Sequence, residues 1–350
     1  MNRRKYFPLV AFALSLLAAV AFVVGRSAGT RAAGANSALA ALPASDFVIA
    51  IDAQRALSET LPTLLAANPT ALAKFNAELD EFQRKTGINP RTLESIAVGG
   101  NFTPGRPHNS MRAVVIARGS FRSDELLEGA FTAAKAKDPN FQKAEQQYEG
   151  RTIFLVGTVR NVKGEIDAGK TLGQVLAESK GEKMAVTALD SNTIAAGELD
   201  GVRAAIDASL GRGGRVDDEL VRLASETPGA VVSFSGRVPQ NAGVKVGDSA
   251  IEKYFASVRQ FYGSFNADGA EAQALLTLRT ETVEQANDMG QALNSLKSLA
   301  AFGFSRSGGS AKDASVGDLL RSLSVTTLNN EVQISVKIPQ ASFAPLVKTF

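Results

Sequence analysis

The chain has 350 residues, 45% of them hydrophobic, with no cysteine and a single histidine, His108. That composition excludes disulfides, thiolate metal sites, cysteine nucleophiles and any metal set or catalytic triad that needs two histidines. Of the 38 Lys and Arg, five precede residue 40, where no Asp or Glu occurs, which leaves 33 basic against 35 acidic residues. The body is nearly neutral, so the pI near 9.0 gives no argument for nucleic acid. No basic stripe interleaved with aromatics is present for a phosphate backbone to bind.

Arg3, Arg4 and Lys5 precede an uncharged apolar run over residues 7–24, FPLVAFALSLLAAVAFVV, which stops at Arg26. The run approaches the roughly 20 residues that cross a bilayer core and exceeds the usual signal-peptide apolar region. Residues 1–26 are therefore expected as a retained signal anchor, with a cleaved signal peptide as the alternative. Small-residue cleavage patterns, Ala33-Gly34-Ala35 and Ala38-Leu39-Ala40, lie well past Val24. The basic residues ahead of the run keep the amino terminus inside. The body is then expected outside the cytoplasm, on a bacterial inner membrane in single-pass form, or periplasmic or secreted if the leader is cleaved. Residues 27–41, rich in small residues without an apolar period, suit a flexible linker.

Phe47 to Ile51 (FVIAI) reads as a strand. A helix is expected from Asn68-Pro69 to Gly87, with Leu72, Phe75, Leu79 and Phe82 as one stripe facing a sheet. Ile96–Val98 and Arg112–Arg118 read as strands around a Pro- and Gly-bearing loop that holds His108. Ser123-Asp124 opens a helix through Lys137, and Arg151–Val159 is a strand. Met184–Ala196 is a hairpin turning at Asp190-Ser191-Asn192, and Leu199–Leu210 is a helix ending at Gly211.

The second half repeats this order weakly. Leu220–Arg237 parallels Ala38–Gln54, Ala274–Ala300 parallels Ala113–Lys137, and Ser324–Val336 parallels Ala185–Gly197. The expected fold class is α+β: a leader followed by two tandem, duplicated units of antiparallel or mixed sheet covered by helices, residues 42–211 and a shorter 212–350. Leu293–Phe304 reads as a core helix of the second unit.

Gly164-Glu165-Ile166-Asp167-Ala168-Gly169-Lys170-Thr171 fits the phosphate-loop pattern, in which backbone N–H groups and a lysine hold phosphates. A true loop of this kind turns directly off its strand, however, and here the strand ends several residues earlier. Gly164, Gly169, Lys170 and Thr171 are thus a minor cofactor-binding candidate, and no cofactor is expected. Ser264–Gly269 echoes half a calcium loop but has Ser at the first position and Leu275 at the twelfth, so it reads as a turn before a strand. Asp217-Asp218-Glu219 reads as the acidic start of a helix rather than as a catalytic carboxylate pair. Gly211–Arg215 reads as a linker. No metal site is expected, and no catalytic residue can be named.

Leu42-Pro43-Ala44-Ser45-Asp46 ahead of FVIAI, with Asp190-Ser191-Asn192-Thr193 followed by GVRAAIDASL, resembles uncharacterised bacterial exported or membrane-anchored envelope proteins. The resemblance implies export and no particular activity. The expected function is a non-enzymatic extracytoplasmic binding or scaffolding module that contacts the membrane through residues 7–24 and an envelope protein or ligand through its body. The alternative is an exported hydrolase-like enzyme whose catalytic groups converge from distant positions, and the minor alternative is a phosphate-loop NTPase.

Overall fold

Twelve antiparallel strands of the described residues form one sheet in this computed structural model. It describes residues 38–66, 68–87, 89–102, 112–137, 141–157, 184–239, 254, 256–267, 271–306 and 319–339. The apolar run at 7–24, His108 and the loop Gly164–Thr171 lie outside them. Among the described residues no helix is long and apolar enough to cross a membrane.

In chain order the strands are β1 Phe47–Asp52, β2 Leu93–Asn101, β3 Arg112–Gly119, β4 Gln142–Tyr148, β5 Arg151–Gly157, β6 Met184–Asp190, β7 Thr193–Gly197, β8 Val232–Arg237, β9 Val258–Ala267, β10 Glu271–Thr280, β11 Ser324–Leu328 and β12 Glu331–Pro339. Across the sheet they run β11-β12-β10-β9-β8-β1-β2-β3-β7-β6-β5-β4. The two halves of the chain meet at the β1–β8 pair, with Ile49 opposite Phe234. Outward from β1 come β2 and β3, then the hairpin β6–β7 joined through β7. Outward from β8 come β9 and β10, then the hairpin β11–β12 joined through β12. The first half has one addition, the hairpin β4–β5 on the outer edge of β6.

The helices are α1 Ala53–Arg55 and α2 Leu61–Leu65, joined by a π-helical stretch Ala56–Thr60, then α3 Pro69–Thr86, α4 Ser123–Lys137, α5 Leu199–Ser209, α6 Asp218–Ala224 and α7 Val283–Arg306. They occupy both faces of the sheet. On the first face α5 buries Val202, Ala205 and Ile206, a spacing of three and four that makes one stripe. With Leu220 of α6 they pack on Val48, Ala97, Val114, Ile116, Ala185 and Ala195 in the largest core cluster. On the opposite face α7 lays Ala286, Met289 and Leu293 on Leu278 and Val332. α4 packs Phe131 tilted against Phe154 of β5, ring centroids 4.9 Å apart, on that same face.

Helix α3 begins and ends where its signals place it. The Asn68 side chain accepts from the N–H of Ala71, and Gly87 takes the left-handed conformation (φ 70°) that a residue with a Cβ resists. Its apolar stripe does not face the sheet as expected. Phe75 and Leu79 pack on Leu57, Leu61 and Leu65, because the chain reverses after α2 and the stripe meets the preceding helical segment first. Phe82, the fourth member, is 47% exposed. The stretch Leu293–Phe304 belongs to α7, as expected of a core helix, yet Leu299 is 62% exposed. Gly211–Arg215 is a pinned corner, not a free linker: Arg215 donates to the Ala208 carbonyl at 3.1 Å and pairs by a bridge with Pro43.

Candidate functional site

The first face of the sheet changes character at its middle. Under α5 it is apolar, whereas on β9, β10 and β12 the same alternation places Gln260, Tyr262, Thr277, Arg279, Glu331 and Gln333. α6 is the helix that joins this polar half. Asp217 caps it, accepting the Glu219 N–H at 2.8 Å, so the acidic run serves as the helix start that the sequence indicates.

The run does more than cap. Arg237 of β8 pairs with Asp217 at 2.8 Å and Glu219 at 3.2 Å. The Gln260 side-chain amide donates to Glu219 at 2.9 Å, while its oxygen accepts from Arg279 at 2.6 Å. Arg279 also reaches Glu219 at 3.3 Å and Glu331 at 2.8 Å. Its guanidinium lies 5.9 Å from the centre of the Tyr262 ring, whose hydroxyl donates to Glu331 at 3.1 Å. One chain of hydrogen bonds therefore crosses from α6 over β8, β9 and β10 to β12. Arg279 and Glu331 side chains are only 25% and 24% exposed, so their pairing is screened less than a surface contact.

The surroundings of Glu219, Asp217 and Tyr262 shift each in the direction that keeps its hydrogen bonds. Hydrogen bonding from Gln260 and then Arg237 outweighs desolvation and holds the Glu219 carboxyl below its usual range. The Arg237 guanidinium beside Asp217 does the same there. Burial and the Glu331 carboxylate push the Tyr262 hydroxyl up, which keeps it a neutral donor. The arrangement suits fixed hydrogen-bond recognition and the fastening of α6, while the Asp217 and Glu219 carboxylates are held away from general acid–base work.

A second polar group is buried at the end of β1. Asp52 is 6% exposed, and its side chain accepts the Arg55 N–H at 2.8 Å. Desolvation by burial dominates and raises its carboxyl to about 6. Ser95, its cross-strand neighbour on β2, is buried with an unpartnered hydroxyl.

Of the remaining candidates, Gly164, Gly169, Lys170 and Thr171 and His108 fall outside the described residues. Ser264–Ala267 is the end of β9, not a turn, because Tyr262, Ser264 and Asn266 alternate with Phe261, Gly263 and Phe265 across the two faces. Ser264 donates to Thr227 at 2.9 Å. Among the described residues no group of three His, Cys, Asp or Glu could hold a metal ion. Sequence reasoning found the acidic start of α6 but not its partners. Their signal was Arg237, Arg279 and Glu331 inside or at the ends of otherwise apolar or β-branched strands.

No family model matches the chain, and no curated protein is similar to it in sequence. Solved structures entitled "Structure of crystal form III of TP0453" and "Structure of crystal form IV of TP0453" are similar in backbone, at 8% and 11% identity and TM-scores of 0.42 and 0.41. They cover 89% and 90% of this chain and 98% and 99% of those chains. Crystal form I of the same protein gives 8% identity and a TM-score of 0.40. A likeness of this size carries nothing about substrate, partner or site.

Proposed function

We propose that the chain is a non-enzymatic envelope protein, held at a bacterial inner membrane by residues 7–24 or released by cleavage, with an extracytoplasmic body that binds or scaffolds. The observation that carries the binding reading is the polar half of the sheet's first face. Its donors and acceptors are fixed by a continuous network from Glu219 to Glu331, the Glu219 and Asp217 carboxyls are held below their usual range, and its guanidiniums are charge-compensated. Such a surface can recognise a polar partner without moving a proton. The export reading is supported by Arg3, Arg4 and Lys5 ahead of the apolar run.

We further read the two halves as a duplicated unit. What supports this is the same connection twice: three successive strands, a helix on the same face, and a hairpin whose second strand rejoins the third.

Protease added to intact spheroplasts tests the export reading. Digestion of the body from outside, with the mass of the chain reporting whether the leader is retained, is the expected result. Protection that is lost only on lysis would put the body in the cytoplasm and overturn it.

A further inference from the structure

The two edges of the sheet are built differently. At one end β4 carries Lys143 and Glu145, and Lys143 also lies 4.9 Å from the Phe131 ring centre and 4.8 Å from that of Phe154. Charged side chains on an edge strand discourage further pairing. At the other end β11 reads Ser-Val-Thr-Thr-Leu, uncharged, β-branched at three positions and without proline. Ser324, Thr326, Thr327 and Leu328 are exposed, Leu328 to 73%. Among the described residues no strand pairs with its outer edge.

The fold shows what such an edge accepts. β6 and β11 are both the outer strand of a hairpin whose inner strand rejoins the third strand of its half. On β6 the outer edge carries the antiparallel strand β5, with Leu155 opposite Ala185. On β11 that position is vacant among the described residues. The backbone groups that would fill it are identifiable. The Val325 carbonyl accepts from the Asn294 side chain of α7 at 3.4 Å, so it points away from β12, and by alternation the groups of Thr327 do too. The Asn294 contact is long, and a backbone N–H would replace it readily.

We propose that β11 is a homodimerisation edge, where a second copy of this chain adds its own β11 antiparallel about a two-fold axis through Thr326. Val325 then exchanges backbone hydrogen bonds with Thr327 of the other copy, and Thr326 faces its own counterpart at the close, non-hydrogen-bonded spacing of about 4.5 Å between Cα atoms. The occupant is a second copy because the edge is self-complementary: no charge is repeated across the axis, and β-branched residues meet β-branched residues. It also closes. With β4 blunted, the described residues leave one receptive edge, so pairing stops at two rather than growing into a filament. The antiparallel pairing where the two halves meet, β1 with β8, is the same geometry within one chain.

The absence of native cysteine makes the test direct. Thr326→Cys in the full-length chain, expressed in its membrane and oxidised, should give a disulfide dimer on a non-reducing gel, since the expected spacing lies within the range a disulfide spans. Gln146→Cys on β4 should stay monomeric. Ser324→Cys and Leu328→Cys should each stay monomeric alone but cross-link when co-expressed, because the axis places 324 opposite 328. A monomeric Thr326→Cys chain overturns the proposal. So does equal cross-linking at Gln146→Cys, or at 324 or 328 alone, which would mean collision without register.

Discussion

Glu219, in the first turn of α6, and Arg279, near the end of β10, lie 3.3 Å apart although 60 residues separate them. Gln260 touches both, so the three side chains form one unit. Replacing Arg279 with Met leaves Glu331 and Glu219 without their shared cation and should cost about 1–3 kcal/mol. Glu219→Gln should cost less, because Gln keeps acceptors for Gln260. A double-mutant cycle in urea, read as the change in midpoint, checks this. Additivity of the two changes would mean that the unit is not coupled.

The pH dependence follows from two groups with opposite signs. The Asp52 carboxyl is raised to about 6, so the folded state binds its proton more tightly than the unfolded state. Its contribution therefore grows as pH falls from above 6 towards the unfolded value near 4. Glu219 and Asp217 are lowered. Their contribution is present above the unfolded carboxylate range and is lost as pH falls through their folded values. Thermal melts should show greatest stability between about pH 4 and 6. Asp52→Asn keeps an acceptor for the Arg55 N–H and should raise stability at pH 8 by an amount on the order of 2 kcal/mol. It should also flatten the slope between pH 4 and 7. An unchanged slope in that variant would remove Asp52 as its source.

Gly236 of β8 lies beneath the Phe261 ring and beside Phe47, and a Cβ there would run into that ring. Gly236→Ala should force Phe261 off its seat at a cost of about 1–3 kcal/mol. The melting temperature would show it, and Gly236→Ala with Phe261→Leu should recover part of the loss.

Leu220 is fully buried in the cluster that joins α6 to the first half, while α6 itself packs on both β1 and β8. Leu220→Ala should cost about 2–5 kcal/mol. Because one sheet runs through the β1–β8 seam, calorimetry should show both halves of the body unfolding in a single transition. Two separated peaks in the wild-type chain would contradict a shared core.

Much of the fold is legible in local chemistry. The cap at Asn68, the left-handed Gly87, the Asx turn in which Asn192 donates to Asp190 at 2.9 Å, and the helix α5 all sit where the sequence puts them. β4 escapes notice because Gln-Lys-Ala-Glu-Gln-Gln-Tyr has no apolar alternation. It is a strand by virtue of its hairpin with β5, turned by Glu149 and Gly150 at positive φ. β9 escapes because its polar residues face the network instead of water. The network itself is invisible locally, since its members come from one helix and four strands. Only the register, which places Arg279 opposite Glu331, brings them together.

The seam between β1 and β8 also governs how the chain must be made. By the time Gly197 has been synthesised, all the strands of the first half exist, yet the inner edge of β1 has no neighbour until Arg237 follows some forty residues later. At about 5–20 residues per second this leaves an interval of roughly 2–8 s. Through it, the backbone amides of Val48, Ala50 and Asp52, which point to β8, stay bare beside an apolar surface. A nascent chain in that state is adhesive to its neighbours. Delivery of α6 and β8 is therefore the event that ends its vulnerability, and a translational pause or truncation before residue 232 should send the product to aggregates or to a holding chaperone rather than leave a soluble half-molecule.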